Sequence, residues 1–411
     1  MSFVKTSGLQ FIDSPTVDAF ARVRVCNPEA IFDSKQLFDD SPLMWDDAEV
    51  SGSGTTSAHS TDKALTQIGV ALSTAGKRVR QTFRRFSYQP GKSQLIALTG
   101  ILRNGSSGIT QETGYFDDDN GVFFRVDDAV LSVVVKSSVS GSAVDTVIPQ
   151  SAWNVDKLDG TGESGIALDL TKIQVFLIDF EWLGGGRVRF AFLINGAPII
   201  CHQVLHANLD GAVYMSTPNL PVRYSIENDG TGAASTLDHI CATVISEGRV
   251  DDTGVLRHRS TAGTSVTMVV ENTLYAILGL RFKSTHLDAT IKLVKVAVSL
   301  QSASDDVEWV LIFDPTIAGS VTWIGMPNSA LQYFIGATAN VATGGTHIDA
   351  GYVATGVGAS ASNATTEKLE NALLLGAKID GTLQTIVLCA RPINGSSTNV
   401  IVEGGITWRE T

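Results

Sequence analysis

The sequence predicts an all-β protein of two β-sandwich domains, preceded by an extended N-terminal arm. The first observation is a two-residue period of apolar side chains: in residues 187–194 they fill every second position, with Arg187 and Arg189 among those between. Such alternation is typical of a half-buried antiparallel strand. The second observation is that Asn-Gly and Asp-Gly pairs, which favour tight hairpins, recur between these stretches. The third is that only residues 365–375 carry leucines at a helical spacing.

The same two-residue period predicts strands along most of the chain. In chain order, the stretches that show it are Gln94–Leu102, Val122–Val126, Ala129–Val135, Ile173–Trp182, Arg187–Ile194, Thr290–Leu300, Val307–Phe313, Gln384–Arg391 and Asn399–Trp408. Pro198–Val204 is also predicted to be a strand, because it follows the turn at Asn195-Gly196. Short strands separated by frequent turns predict a sandwich or jelly-roll architecture.

Changes in composition along the chain predict its domains. Residues 1–62 are predicted to form an arm that ends in a linker rich in Ser, Gly and Thr, because their apolar residues follow no clean period. Residues 63–248 carry the densest hairpin signals and are predicted to be the first sandwich. Residues 249–264 are predicted to be a hinge, and residues 265–411 a second, smaller sandwich.

The composition excludes several classes of protein. The 411 residues are 44% hydrophobic and 18% charged, which argues against disorder. The net charge of −12 argues against a general nucleic-acid-binding protein, which needs a basic surface. Apolar runs stop at charges before they reach the length of a membrane span. Neither nucleic acid nor a membrane is therefore expected as a partner, and no phosphate-binding loop predicts a cofactor.

Two groups of polar residues suggest metal sites, but their spacing argues against both. His202 and His206 are four residues apart on a predicted strand, which separates them by about 13 Å. The acidic run Asp117–Asp119 precedes Asn120-Gly121, but its register does not fit a calcium loop of the EF-hand type. A hairpin turn explains this run, with a weak surface calcium site as the alternative. No metal site is predicted.

One strand carries a motif with chemical content. Residues 177–184 read Leu-Ile-Asp-Phe-Glu-Trp-Leu-Gly. This stretch resembles the Glu-Ile-Asp-x-Glu-aromatic-Leu-Gly strand of laminarinase-type glycoside hydrolases, which have a concanavalin A-like jelly roll. The resemblance implies that fold for residues 63–248. It also implies a nucleophile at position 177, a supporting acid at Asp179 and an acid/base at Glu181.

The residue at position 177 departs from that family. A retaining glycosidase needs two carboxyl groups about 5–5.5 Å apart, and Leu177 cannot supply one. The sequence therefore predicts that the chain is not an enzyme and has no catalytic residues. Asp179 and Glu181 are expected to pair with Arg187 and Arg189 on the next strand. The same four residues are the candidates for a glycan-binding face.

A second resemblance covers most of the chain. Five stretches, residues 18–39, 86–95, 114–121, 178–184 and 214–224, look like those of structural proteins of tailed phages, as does the ending Trp408-Arg-Glu. The resemblance implies a virion protein, made in the host cytoplasm. A tail- or fibre-associated component that acts in assembly is expected. A capsid decoration or head-fibre protein is one alternative, and a glycan-binding receptor-recognition protein is another.

That assignment implies partners. Other virion proteins, a host surface glycan and further copies of the chain are expected, with a homotrimer by analogy. Apolar residues of the arm and a basic run in an otherwise acidic chain are candidates for the subunit contacts. They are Phe20, Phe32, Leu37, Phe38, Trp45, Arg78, Arg80, Arg84 and Arg85.

Overall fold

The computed structural model describes residues 26–103, 105–249, 254–302, 305–354, 360–364, 375–393 and 399–411. It is almost entirely β, with antiparallel strands in five sheets. The predicted fold class is therefore confirmed. Among the described residues, no helix is long and apolar enough to cross a membrane. The predicted helix at residues 365–375 lies outside the described residues except for its last member.

Two sheets pack face to face in the first sandwich. Its strands are β1 (Glu29–Lys35), β2 (Trp45–Gly52), β3 (Thr55–Ser60), β4 (Leu65–Val70), β5 (Gly76–Thr82), β6 (Gln94–Ile101), β7 (Ile109–Phe116), β8 (Gly121–Asp127), β9 (Val130–Ser137), β10 (Val144–Pro149), β11 (Gln174–Phe180), β12 (Val188–Ile194), β13 (Ala197–Val204), β14 (Val222–Asn228) and β15 (Ser235–Ser246). A 3₁₀ turn at Gln150–Ala152 follows β10.

The front sheet has the order β13-β12-β11-β6-β15-β4-β3, and β1 also pairs with β15. The back sheet has the order β10-β9-β8-β7-β14-β5-β2. Alternate residues of each strand meet between the two sheets. At the centre, the ring of Phe124 from the back sheet lies 5.0–5.4 Å from the rings of Phe176, Phe190 and Phe192 of the front sheet. Burial of such large rings is a major stabilising contribution of a core.

The alternation in β11 explains how the front sheet divides its residues between two faces. Phe176, Ile178 and Phe180 are buried in the core, whereas Leu177 and Asp179 are only partly buried. The neighbouring strands follow the same rule, because a paired residue always shares the face of its partner. The outer side of the front sheet is therefore formed by the odd-numbered residues of β11 and their partners.

The N-terminal segment differs from its prediction. Residues 29–60 form β1, β2 and β3, which belong to the two sheets of the sandwich and are neither a separate arm nor a linker. The indole of Trp45 anchors the segment: it is 2% exposed, and its Nε1 donates a hydrogen bond of 2.8 Å to Ser34 Oγ. Removing such a ring from the core would leave a large cavity, which is costly. Residues 1–25 lie outside the described residues.

The second sandwich is built by the rest of the chain. Its strands are β16 (Val255–Ser260), β17 (Val266–Met268), β18 (Tyr275–Phe282), β19 (Ile291–Ser302), β20 (Val307–Phe313), β21 (Thr316–Ile317), β22 (Ile324–Gly325), β23 (Leu331–Ile335), β24 (Ala342–Thr343), β25 (Thr346–Val353), β26 (Ser360–Ala364), β27 (Ile386–Pro392) and β28 (Val400–Glu410). One sheet has the order β16-β28-β19-β26 with β17 beside β28, and the other β22-β23-β18-β27-β20-β25. A small third sheet pairs β21 with β24.

The predicted hinge also differs in part from the structure. Residues 255–260 form the edge strand β16, which pairs with β28 in the register Val255 to Glu410. The segment therefore contributes backbone hydrogen bonds to the second sandwich. The core there lies between its two larger sheets, around the buried indoles of Trp309 and Trp408.

Candidate functional site

A row of polar side chains crosses the outer side of the front sheet. Asp179 of β11 lies opposite Arg189 of β12, which in turn lies opposite Gln203 of β13. Asp179 and Arg189 form an ion pair, and Ser93 Oγ donates a hydrogen bond to the same carboxylate. Asp179 is thus held from two sides, which fixes the orientation of the carboxylate.

Glu181 and Arg187 extend this row into the hairpin that joins β11 to β12. Both side chains are exposed. The Glu181 carboxylate accepts a hydrogen bond of 3.4 Å from the backbone N–H of Arg187, and Arg187 Nη1 donates to Gln203 Oε1, also over 3.4 Å. At this length a hydrogen bond is weak. The outer end of the row is therefore available for other partners.

All four predicted candidates for a glycan face come together at this position. The two acidic and two basic side chains lie on one hairpin, as the expected pairing of Asp179 with Arg189 requires. Their role in sugar binding stays a prediction. Sequence reasoning missed Ser93 and Gln203, because each joins the site through strand pairing and neither lies in the motif. We name this set the polar row: Ser93, Asp179, Glu181, Arg187, Arg189 and Gln203.

An aliphatic floor adjoins the polar row on the same side of the sheet. Leu177 lies between Ala97 of β6 and Ala191 of β12, at the position that the glycosidase motif gives to a nucleophile. Leu95 lies beside Asp179, and the next residue across the sheet is Ile245 of β15. Most of these side chains are only partly buried, so they present an open apolar surface.

Two loops with exposed aliphatic tips border the polar row. Leu183 of the β11–β12 hairpin is 60% exposed, and Leu209 of the loop after β13 is 71% exposed. The loops are tied together, because the N–H of Tyr214 donates to the carbonyl of Gly184 over 3.1 Å and its hydroxyl donates to the carbonyl of Glu181 over 3.1 Å. Leu183 has a φ of 39°, a conformation that a leucine rarely adopts.

Aromatic residues do not contribute to this surface at the strand positions that the structure describes. Trp182, the aromatic residue of the motif, turns towards the core: its indole Nε1 donates to the carbonyl of Met215 over 3.1 Å, and its ring meets that of Tyr88 edge-on. Trp182 therefore packs against the core of the first sandwich. A sugar on this surface would meet aliphatic side chains and polar groups.

The histidines and acidic residues whose spacing argued against metal sites have other contacts. The backbone N–H of Asn154 donates to His202 Nδ1, whereas His206 lies 2.6 Å from an Asp210 carboxylate oxygen and stacks on Tyr214. The Asp117 carboxylate accepts hydrogen bonds from the backbone of the turn that follows it. Within the described ranges, no group of three or more His, Cys, Asp or Glu side chains is placed to hold a metal ion.

Most of the predicted subunit contacts have partners inside the chain that the sequence did not predict, and their contact with another subunit stays a prediction. The basic residues bind internal partners: Arg78 and Arg80 pair with Asp47, Arg84 donates to the carbonyl of Ile31, and Arg85 pairs with Asp117. The aromatic residues also turn inward, where the ring of Phe32 packs on those of Trp45 and Phe86.

Two of the predicted contact residues are exposed. Phe38 is 88% exposed and Leu37 is 44% exposed, both in the loop between β1 and β2. Phe20 lies outside the described residues. An apolar side chain as exposed as that of Phe38 is suited to contact with another molecule.

Comparisons with known proteins give structural similarities alone. No protein-family model matches the chain, and no curated protein matches it. Similar solved structures include a β-glucanase of Bacillus licheniformis, at 8% identity and a TM-score of 0.33, over 52% of this chain and 96% of that one. Another is the CBM2 module of the evolved Dit of Lactobacillus casei BL23 phage J-1, at 8% identity and a TM-score of 0.35, over 56% of this chain and all of that one. A third is the lectin UEA-II complexed with galactose, at 9% identity and a TM-score of 0.30, over 53% of this chain and 98% of that one.

The glycoside hydrolases among these structures contradict the prediction that the chain is not an enzyme. That prediction rested on a single position, Leu177, and is withdrawn. At TM-scores of 0.33–0.35 and identities of 8–11%, however, the similarities do not assign hydrolysis to this chain either. Asp179 and Glu181 are the two carboxylates of this strand and its hairpin, and tests of the site therefore include an assay for hydrolysis.

Proposed function

We propose that the first sandwich binds carbohydrate on the outer side of its front sheet, as part of a virion protein of a tailed phage. The observation that carries the proposal is the polar row beside an open aliphatic floor. Sugars present hydroxyl groups next to apolar C–H surfaces, and binding sites for small molecules typically combine apolar walls with a few convergent polar groups.

The chemistry of the polar row fits hydroxyl groups. Carboxylates accept hydrogen bonds, guanidinium groups donate them, and the Gln203 amide does both. Hydrogen bonds that involve a charged group are roughly twice as strong as neutral ones. The weak contacts of Glu181 and Arg187 would be exchanged for contacts with a ligand at little cost.

The charges of the row favour a neutral ligand. Asp179 and Glu181 balance Arg187 and Arg189, so the row has no net charge. A binding surface with a net charge would attract ions of the opposite sign. We therefore propose a neutral host surface glycan as the ligand.

The proposal that the protein is part of a virion depends on the sequence resemblance to structural proteins of tailed phages. A tail- or fibre-associated position is proposed, with the capsid surface as the alternative and other virion proteins as partners. The exposed Phe38 supports a contact with such a partner. A homotrimer is the proposed assembly, by analogy.

Replacing Arg187 with alanine is expected to weaken carbohydrate binding about tenfold, because a hydrogen bond to a charged group contributes about 1.5–3 kcal/mol. The side chain is exposed and weakly held, so the fold is retained. Titration calorimetry of the full-length protein with oligosaccharides from host surface polysaccharide measures the effect. Lys172→Ala, at an exposed cation just before β11, is the matched control and should leave affinity unchanged.

Two further results bear on the proposal. If the wild-type protein binds none of the oligosaccharides at millimolar concentration, the proposed function is wrong. If reducing ends appear during the titration and Glu181→Gln abolishes them, the site hydrolyses its ligand, and the carbohydrate assignment stands.

A further inference from the structure

We infer that the ligand of this surface is a sugar that carries methyl groups, either a 6-deoxyhexose or an acetylated sugar. The inference rests on the proposed function and specifies the class of carbohydrate. Its basis is that the apolar side chains which the described strand positions and the two loop tips present on this surface are aliphatic.

The floor has the right chemistry for methyl groups. Leu177 is paired with Ala97 on one side and Ala191 on the other, so it is the larger side chain at this level of the sheet. Burial of apolar surface is favourable in proportion to its area. A sugar methyl group that packs on these aliphatic side chains removes more apolar surface from water than a hydroxymethyl group, which must also keep its hydroxyl hydrogen-bonded.

The loop tips add exposed aliphatic side chains beyond the hairpin end of the polar row. The γ-carbon of Val213 would lie 2.9 Å from a Cβ at Gly184, so the two loops touch at this point. Leu183 is held exposed on this rigid support, in a conformation that a glycine or asparagine would adopt more easily. Strained residues cluster at functional sites, and this one lies next to Glu181 and the polar row.

The lack of aromatic rings among the described strand positions of this face argues against unmodified hexoses. An aromatic ring would offer the flat apolar face of a hexose a broad and rigid contact. Trp182 cannot provide it, because its indole is fixed to the carbonyl of Met215. Branched aliphatic side chains contact isolated methyl groups well but match a flat ring poorly.

The test compares three ligands on the full-length protein: oligosaccharides of rhamnose, of N-acetylglucosamine and of glucose. We expect one of the two methyl-bearing ligands to bind about fourfold more tightly than glucose for each methyl group buried. Whether rhamnose or N-acetylglucosamine binds more tightly identifies the source of the methyl group.

Leu183→Asn is the diagnostic variant. It removes an aliphatic tip but places a residue that tolerates positive φ, so the fold is not put at risk. We expect its preference for the methyl-bearing ligand over glucose to fall at least twofold, with unfolding unaffected. Leu72→Asn is the matched control, because Leu72 is 65% exposed in a loop of the first sandwich, outside the polar row and its loop tips.

The outcomes separate this inference from the proposed function. Equal or tighter binding of glucose oligosaccharides, or a preference that Leu183→Asn leaves unchanged, overturns the inference and leaves carbohydrate binding in place. If none of the three ligands binds, while no other host oligosaccharide binds either, the proposed function fails and the inference with it.

Discussion

Replacing Arg80 with alanine is expected to lower the free energy of unfolding by about 3–5 kcal/mol, because each buried acceptor that loses its donor costs about 1–3 kcal/mol. Arg80 is completely buried, between the two sheets of the first sandwich. Its loss would leave the acceptors on Gln36, Asp40 and His239 without this donor, whereas the partly buried Asp47 carboxylate would keep its ion pair with Arg78.

Four partners surround the Arg80 guanidinium. Nη1 pairs with Asp47 at 3.3 Å, Nη2 donates to Gln36 Oε1 at 3.0 Å and to the carbonyl of Asp40, and Nε donates to His239 Nδ1 at 3.1 Å. Burial lowers the pKa of Arg80, and Asp47 opposes that shift. Because three of these partners belong to residues 36–47, Arg80 also fixes the N-terminal segment to the sandwich.

Urea unfolding of Arg80→Ala measures the expected loss. Lys77→Ala on the same strand is the matched control, since Lys77 pairs with Glu227 at the surface, and exposed pairs contribute about 0–1 kcal/mol. If Arg80→Ala loses less than 1 kcal/mol and light scattering shows a smaller assembly, Arg80 contacts another subunit, as predicted from the sequence.

The strands with an apolar period could be predicted because that period is a local property of the sequence. Val307–Phe313 was predicted with the bounds that the structure gives to β20. β3 was missed because its residues, Thr-Thr-Ser-Ala-His-Ser, are polar and small, as in a linker. An edge strand needs few apolar residues, since its backbone hydrogen bonds to one neighbour hold it in place.

The partners of buried charges could not be predicted from the sequence. The basic residues look exposed in sequence because their acidic partners are distant: Asp47 lies 33 residues before Arg80. His239, a further 159 residues along the chain, contacts the same guanidinium only because β15 crosses the front sheet beside it. The polar row was partly predictable because four of its six members lie on one hairpin.

The buried histidine makes stability depend on pH. His239 is fully buried, stacked on Tyr224 at 4.2 Å between ring centres, and accepts a hydrogen bond from Arg80. Burial, and next to it the charge of Arg80, hold the pKa of His239 well below its ordinary value of 6.5. Protonation would place two positive charges in contact and remove the acceptor.

The direction in which the pKa of His239 is shifted decides whether stability rises or falls with pH. Between the lowered pKa of the folded state and about 6.5, the unfolded chain binds more protons at this histidine than the folded chain does. Stability therefore falls as the pH falls through this window, by up to about 1.4 kcal/mol per pH unit, and above it this contribution is constant. His202, whose pKa burial also lowers, adds to the same slope.

His239→Gln is expected to flatten the dependence of stability on pH below about 6.5. The glutamine carbonyl can still accept a hydrogen bond from Arg80, but the side chain does not titrate. Urea unfolding at half-unit steps of pH measures the slope. Val244→Ala, in the core on the same strand, is the matched control. It lowers stability at every pH, but the slope of its stability against pH should equal that of the wild-type protein. If His239→Gln and wild type have equal slopes, His239 is protonated as readily in the folded as in the unfolded chain. Neutral His239 would then not be required for its contact with Arg80.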